Sequence, residues 1–146
     1  MPAIKGTDPL SDDELIYRRI PVSQNWYNPN LSPPLSPKAF NPTERDVTGL
    51  SISRASLKTI EEAAKGQPGK SYYVAILRVA DLRSAGIRVE PKPLDRGVLG
   101  PDHPGDESHA ELPDLTYQNR KEPRVEELKL ALAQRLCIEV NGPYHS

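Results

Sequence analysis

Apolar and polar residues alternate with the two-residue period of a pleated strand at several places along the chain. Leu15-Ile16-Tyr17-Arg18-Arg19-Ile20 is the first, closed by Pro21. Alternation sets Ile16, Arg18 and Ile20 on one face and Leu15, Tyr17 and Arg19 on the other. Gly49-Leu50-Ser51-Ile52-Ser53 predicts a short second strand, with Leu50 and Ile52 on one side and both serines on the opposite one. Tyr72 to Val79 is apolar on both faces, which predicts a strand central in a sheet. Ile87 to Glu90 reads as extended until Pro91, His109-Ala110-Glu111-Leu112 as a short alternating strand, and Cys137 to Val140 as the last strand.

Between these strands the period changes. Leu57, Ile60 and Ala64 lie at helical spacing and predict a helix over Ser56–Lys65, with Ser53 or Ser56 as its N-cap and Gly66 as its stop. Asp81 to Gly86 predicts one capped turn. Val125, Leu128, Leu132 and Leu136 form the apolar stripe of a final helix over residues 124–136. Its Glu126 and Glu127 sit toward the positive end of the helix and Arg135 toward the negative end. The expected fold class is α+β: a small mixed or mainly antiparallel sheet, two principal helices and long proline-rich wrapping loops.

The prolines sharpen this division. Of sixteen, eight precede Gly49, seven follow Glu90, and only Pro68 lies between. A second proline-free window runs from Arg124 to Gly142. Proline donates no ladder hydrogen bond and breaks helix interiors, so regular structure concentrates in these windows. Residues 1–13 lack periodicity and read as a flexible N-terminal tail, with residues 14–146 as a single α+β domain. Trp26, Tyr27, Leu31, Leu35 and Phe40 punctuate a stretch otherwise rich in Pro, Asn and Ser. That density of large apolar groups predicts an ordered loop, with Trp26, Tyr27 and Phe40 as its candidate interaction residues.

Composition narrows the function classes. The 146 residues leave room for one modest core, 36% of them being hydrophobic. Nineteen basic and twenty acidic side chains give a formal charge of -1, so net charge supplies no drive toward nucleic acid or an anionic membrane. No apolar stretch is long enough for a membrane span, and the start Met-Pro-Ala-Ile-Lys-Gly lacks the hydrophobic segment of a secretory signal. A cytoplasmic protein is expected. One cysteine, Cys137, cannot form an internal disulfide, and its place at the end of an apolar helical pattern predicts a buried structural thiol.

Four polar groupings carry candidate chemistry. Ser51 and Ser53 share a strand face before a predicted helix N-terminus, and Arg54 adds a cation at the same corner. That corner suits a phosphate or pyrophosphate; otherwise the serines cap the helix and line a solvated face. Arg18 and Arg19 each lie among apolar neighbours, which requires either a bound phosphate or carboxylate or an internal salt bridge. His109 and Glu111 project to one strand face, where they can do general acid–base work, orient a substrate hydroxyl, or stand as an ordinary surface pair. Asp102, His103, Asp106, Glu107 and His109 crowd a short span, but their spacing matches no helical or finger-like ligand motif, and no metal is expected. There is no phosphate-cradling glycine motif, nucleophile elbow or Cys-x-x-Cys pair.

Two resemblances follow from these residues. The series Tyr17-Arg18-Arg19-Ile20, Ala39-Phe40, Gly49-Leu50-Ser51-Ile52-Ser53 and His109-Ala110 resembles a family of small uncharacterised bacterial proteins. The order Arg18 or Arg19, Ser51-Ile52-Ser53 and Glu111 is also similar to the arginine–serine–glutamate branch of ADP-ribosyltransferase-like domains. That second resemblance implies that an arginine holds NAD, that the serines orient the nicotinamide ribose, and that Glu111 polarises a ribose hydroxyl. His109 stands where that branch carries the first glutamate of a Glu-x-Glu pair, and the chain is short for such a domain. Two functions are therefore expected: first a non-catalytic module that docks a protein partner, and as the alternative an NAD-using ADP-ribosyltransferase-like enzyme or toxin with His109 and Glu111 as catalytic residues.

Overall fold

The computed structural model describes residues 3–145. Met1 and Pro2, the start of the expected tail, and Ser146, the end of the expected domain, lie outside the described residues. The strands are β1 (Leu15–Pro21), β2 (Leu50–Arg54), β3 (Ser71–Arg78), β4 (Glu90–Pro91), β5 (His109–Leu112) and β6 (Glu139–His145). They form one open sheet in the order β4-β5-β2-β1-β3-β6, antiparallel at every joint. The helices are α1 (Ile60–Ala63), α2 (Val79–Ser84) and α3 (Pro123–Ala131), the last running on into a π-helical turn over Leu132–Leu136. The fold is α+β, as the periodicity predicts.

Alternation decides what each sheet face does. Ile16, Ile20, Leu50, Ile52, Ala75, Leu77, Ala110 and Leu112 point to one side and form the main core with Leu82, Leu115, Val125, Leu128 and Leu132. Removing the Ile, Leu and Val side chains among them from water stabilises by about 1.5–3 kcal/mol each. Tyr72, Val74 and Ile76 point the other way and are buried as well. β3 is thus apolar on both faces, as expected, although β1 and β2 hold the middle of the sheet and β3 lies next to edge strand β6.

Helix ends differ from expectation for local reasons. Thr59 caps α1: its hydroxyl accepts from the Glu62 N–H while the Glu62 carboxylate accepts from the Thr59 N–H. This reciprocal cap shortens the predicted helix to little more than a turn. α2 starts at Val79, two residues before Asp81, which is therefore not its cap. It stops where predicted, because Gly86 adopts a φ of +80° that side chains rarely tolerate.

Residues 6–12 of the segment expected to be a flexible tail are tied into the fold. Leu10 is 3% exposed within the main core. The Gly6 N–H donates to the Glu107 carboxylate at 3.0 Å, so close to β5 that a Cβ on Gly6 would meet the Glu107 carbonyl at 2.5 Å. Arg83 holds the Leu10 carbonyl and the Asp12 carboxylate.

The loop between β1 and β2 is also consumed by the core. Phe40 is fully buried, with Leu35 and Ala39 beside it. This corrects its assignment as an interaction residue: the 3-10 turn Pro37–Phe40, capped by Ser36, carries its ring inward. Trp26 and Tyr27 are partly buried against the same core, and Tyr27 meets Tyr73 edge-on at 4.9 Å. Leu31 stays 60% exposed.

Candidate functional site

Strand order brings the distant polar motifs together. β5 lies beside β2, with Ser51 paired to Glu111 and Ser53 to His109. All four side chains share the face opposite the main core, since Leu50, Ile52, Ala110 and Leu112 fill the inward positions. Glu90 of β4 pairs with Glu111 on the other side. Tyr17 of β1 pairs with Ser53, and alternation puts Arg19, two residues on, on the same face, beyond the last paired position of β1 and β2. One paired row across the sheet therefore reads Glu90, Glu111, Ser51.

Two hydrogen bonds give the cluster a direction. Ser51 Oγ lies 2.5 Å from His109 Nε2, and His109 Nδ1 lies 2.8 Å from the Lys92 carbonyl oxygen. A carbonyl only accepts, so Nδ1 carries the proton. In the neutral ring Nε2 is then the acceptor, and the Ser51 hydroxyl donates to it. Glu111 accepts from the Thr48 hydroxyl at 2.7 Å. Burial, then the charge of Glu61 and the neighbouring Tyr144, hold the Tyr17 phenol above its ordinary range.

The arginines divide between the two faces. Arg19 is exposed; its guanidinium donates to the Lys65 carbonyl and lies 5.0 Å from the centre of the Tyr72 ring. Arg18 points inward between Ile16 and Ile20, and its Nε and Nη1 each donate at 3.0 Å, to the carbonyls of Ala39 and Ser51. Burial pushes Arg18 down to about 10, opposed by Asp46 and aided by Arg19, so it stays charged at neutral pH. β1 pairs with β3 along its whole length but with β2 only at Ile16 and Tyr17. Beyond that point the Ser51 N–H donates to Asp46 at 3.2 Å and the Ser51 carbonyl accepts from Arg18. Arg18 and Asp46 wedge the two central strands apart and satisfy the groups that the gap exposes.

Arg54 does not join the outward cluster. It is the last residue of β2, faces inward and is 1% exposed. Its Nε and Nη2 pair with both Glu14 oxygens at 2.9 Å, and its Nη1 donates to the Asp8 carbonyl at 2.6 Å and the Gly6 carbonyl at 3.3 Å. The expected ligand-binding role of Arg54 is corrected to a buried ion pair that fastens the N-terminal segment.

Other expected groups have ordinary partners. Asp106 accepts from Lys58 at 2.8 Å and from Ser108, Glu107 from Gly6, and His103 Nδ1 from the Gly105 N–H. No three His, Cys, Asp or Glu side chains converge as metal ligands among the described residues. Burial pushes the Cys137 thiol up to about 11. Two surface depressions, about 330 Å³ beside Arg83–Glu90 and about 260 Å³ beside Lys38 and Lys129, are lined by none of Ser51, Ser53, His109 and Glu111. No helix among the described residues is long and apolar enough to cross a membrane.

Sequence reading missed Thr48, Asp46, Glu90 and Lys92. Thr48 and Asp46 directly precede a predicted strand and were open to notice. The part Lys92 plays is made by its backbone, which no side-chain motif signals.

Comparison with family models, with curated proteins and with solved structures finds no match to this chain.

Proposed function

We propose that the protein binds NAD on the outward face of β5, β2 and β1 and transfers its ADP-ribosyl group. The observation that carries this reading is that Arg19, Ser51 and Glu111 lie on one sheet face of three adjacent strands, with Ser51 and Glu111 directly paired. Those are the residue types, in chain order, that the ADP-ribosyltransferase resemblance assigns to NAD. In this role Arg19 swings from the Lys65 carbonyl to the pyrophosphate, where its planar fork suits phosphate oxygens. Ser51 and Ser53 hold the nicotinamide ribose, and Glu111 accepts from a ribose hydroxyl and favours the positive charge that develops on the ring. His109, in place of the first glutamate, sets the Ser51 hydroxyl.

The test is thermal unfolding with and without NAD, paired with measurement of nicotinamide release. At a hundred times Kd a ligand stabilises by about 2.7 kcal/mol, a rise in Tm of roughly 5–11 °C for a chain of this size. Ser51→Ala and Arg19→Ala abolish the rise; Glu111→Gln keeps much of it and loses nicotinamide release. An unchanged Tm at saturating NAD refutes the reading.

A second reading, a module that docks a protein partner in the cytoplasm, is favoured by one observation: Leu31 is 60% exposed on the loop that carries the half-buried Trp26 and Tyr27. It predicts that Leu31→Ser or Trp26→Ala releases a captured partner without unfolding the domain. The burial of Leu35, Ala39 and Phe40 leaves that loop a smaller free surface than its sequence suggests, which is why NAD transfer is preferred.

A further inference from the structure

We infer that Ser51 is itself an acceptor of the ADP-ribosyl group, so that the protein modifies its own sheet; this rests on the NAD reading above. Three observations distinguish Ser51 from Ser53. Its hydroxyl proton is directed at His109 Nε2 across 2.5 Å, and the Lys92 carbonyl fixes the ring tautomer that makes this nitrogen a base. Base, nucleophile and orienting group are thus assembled before any ligand arrives. Glu111 is its direct cross-strand partner and Glu90 stands one strand further along the same row, placing two carboxylates beside the position where a ribosyl cation forms. Such a fixed anionic wall favours the charge of an oxocarbenium-like state. Both Ser51 backbone groups on the β1 side are held, by Asp46 and Arg18, so the attacking oxygen rides on an anchored strand.

The step balances within the site. The C1′–N bond to nicotinamide breaks, its electron pair leaves with nicotinamide as a neutral ring, and the Ser51 Oγ–C1′ bond forms. The hydroxyl proton passes to His109 Nε2 and from there to water. No oxidant or reductant takes part.

The experiment incubates the full chain with NAD and measures intact mass, nicotinamide release and the modified residue by peptide mapping, before and after neutral hydroxylamine. The expected result is one ADP-ribosyl adduct on Ser51 that survives hydroxylamine, because a serine acetal is not cleaved as a carboxylate ester is. Ser51→Ala abolishes it. His109→Gln, checked for folding by Trp26 fluorescence, slows its formation roughly 100-fold or more, the usual worth of a positioned base. Nicotinamide release without a gain in mass means that water is the acceptor and overturns the inference while the NAD reading stands. An adduct on Glu111 or elsewhere, or an undiminished rate in His109→Gln, also overturns it. Absence of both nicotinamide release and an NAD-induced shift in Tm overturns this inference and the NAD reading together.

Discussion

Arg54 links the N-terminal segment to the strand that carries Ser51, and replacing it with methionine measures how much of the fold rests on that link. Arg54→Met retains an apolar stem of similar reach and removes every donor. Glu14, itself buried, keeps the Ser56 hydroxyl at 2.7 Å and the Ser11 backbone N–H but loses its counter-charge, and the Asp8 and Gly6 carbonyls lose their partner. Breaking a buried ion pair from one side costs about 3–5 kcal/mol, because an uncompensated charge stays behind. A domain has only about 5–15 kcal/mol to lose. At about 2–4 °C per kcal/mol, Tm falls by roughly 6–20 °C. Urea unfolding followed by the fluorescence of Trp26, the single tryptophan, which packs on the core, measures the loss directly. The double change Glu14→Leu with Arg54→Met recovers most of it, since an apolar pair of similar volume is often as stable as the ions it replaces. A loss below about 1 kcal/mol, the worth of an exposed pair, refutes the argument. So does a double variant less stable than Arg54→Met alone.

Two further outcomes are expected. Burial alone would raise the carboxyls of Glu14 and Asp106, but hydrogen bonds and charge from Arg54 and Ser56, and from Lys58 and Ser108, hold both below their ordinary 4.5 and 3.8. Such groups contribute stability fully above the unfolded value and lose it as pH falls through the lowered folded one. Stability therefore declines as pH drops below about 4.5, and Arg54→Met and Lys58→Ala each flatten that decline in an acid titration of Trp26 fluorescence. An acid limb unaltered in both variants counts against this account. Phe40→Ala lowers stability by about 3–5 kcal/mol, whereas Leu31→Ser on the same loop changes it by no more than about 0.5 kcal/mol. Equal effects at the two positions, read by urea unfolding, would mean that the loop is not divided between core and surface.

Elements whose limits are set locally were legible. β5 coincides with its prediction because His109 to Leu112 alternates without a competing period. The helix over Ser56–Lys65 was legible in type but not in length. Ser56, a plausible cap by its chemistry, spends its hydroxyl on Glu14, forty-two residues away, and Thr59 with Glu62 makes the cap instead. The end of β6 was missed for a related reason. Gly142-Pro143 reads as a stop, yet on an edge strand a missing N–H leaves no neighbour unpaired, and the strand runs on to His145. Residues 5–12 carry no period at all. Their order comes from single long-range contacts of Leu10, Gly6 and the backbone carbonyls held by Arg54 and Arg83, which a periodic pattern cannot express.

The site depended on parity, and parity depended on a boundary. Alternation correctly placed Ser51 with Ser53 and His109 with Glu111, each within its own strand. It could not state that β5 lies beside β2, because that pairing joins residues 58 apart with α1, β3, α2 and β4 between them. For Arg54 the matter turned on one residue. Ending β2 at Ser53 leaves Arg54 free at a corner beside the serines, a position suited to phosphate. Continuing the strand by that single residue applies the two-residue period once more and turns Arg54 to the side of Leu50 and Ile52. An arginine there has no water, so the chain must supply an anion, and Glu14 is that anion. The same rule leaves Arg19, not Arg18 or Arg54, as the cation on the serine face. A ligand that binds there with phosphate chemistry must therefore recruit Arg19 from the Lys65 carbonyl, and loss of binding in Arg19→Ala with binding retained in Arg19→Lys at reduced affinity is the signature of that recruitment.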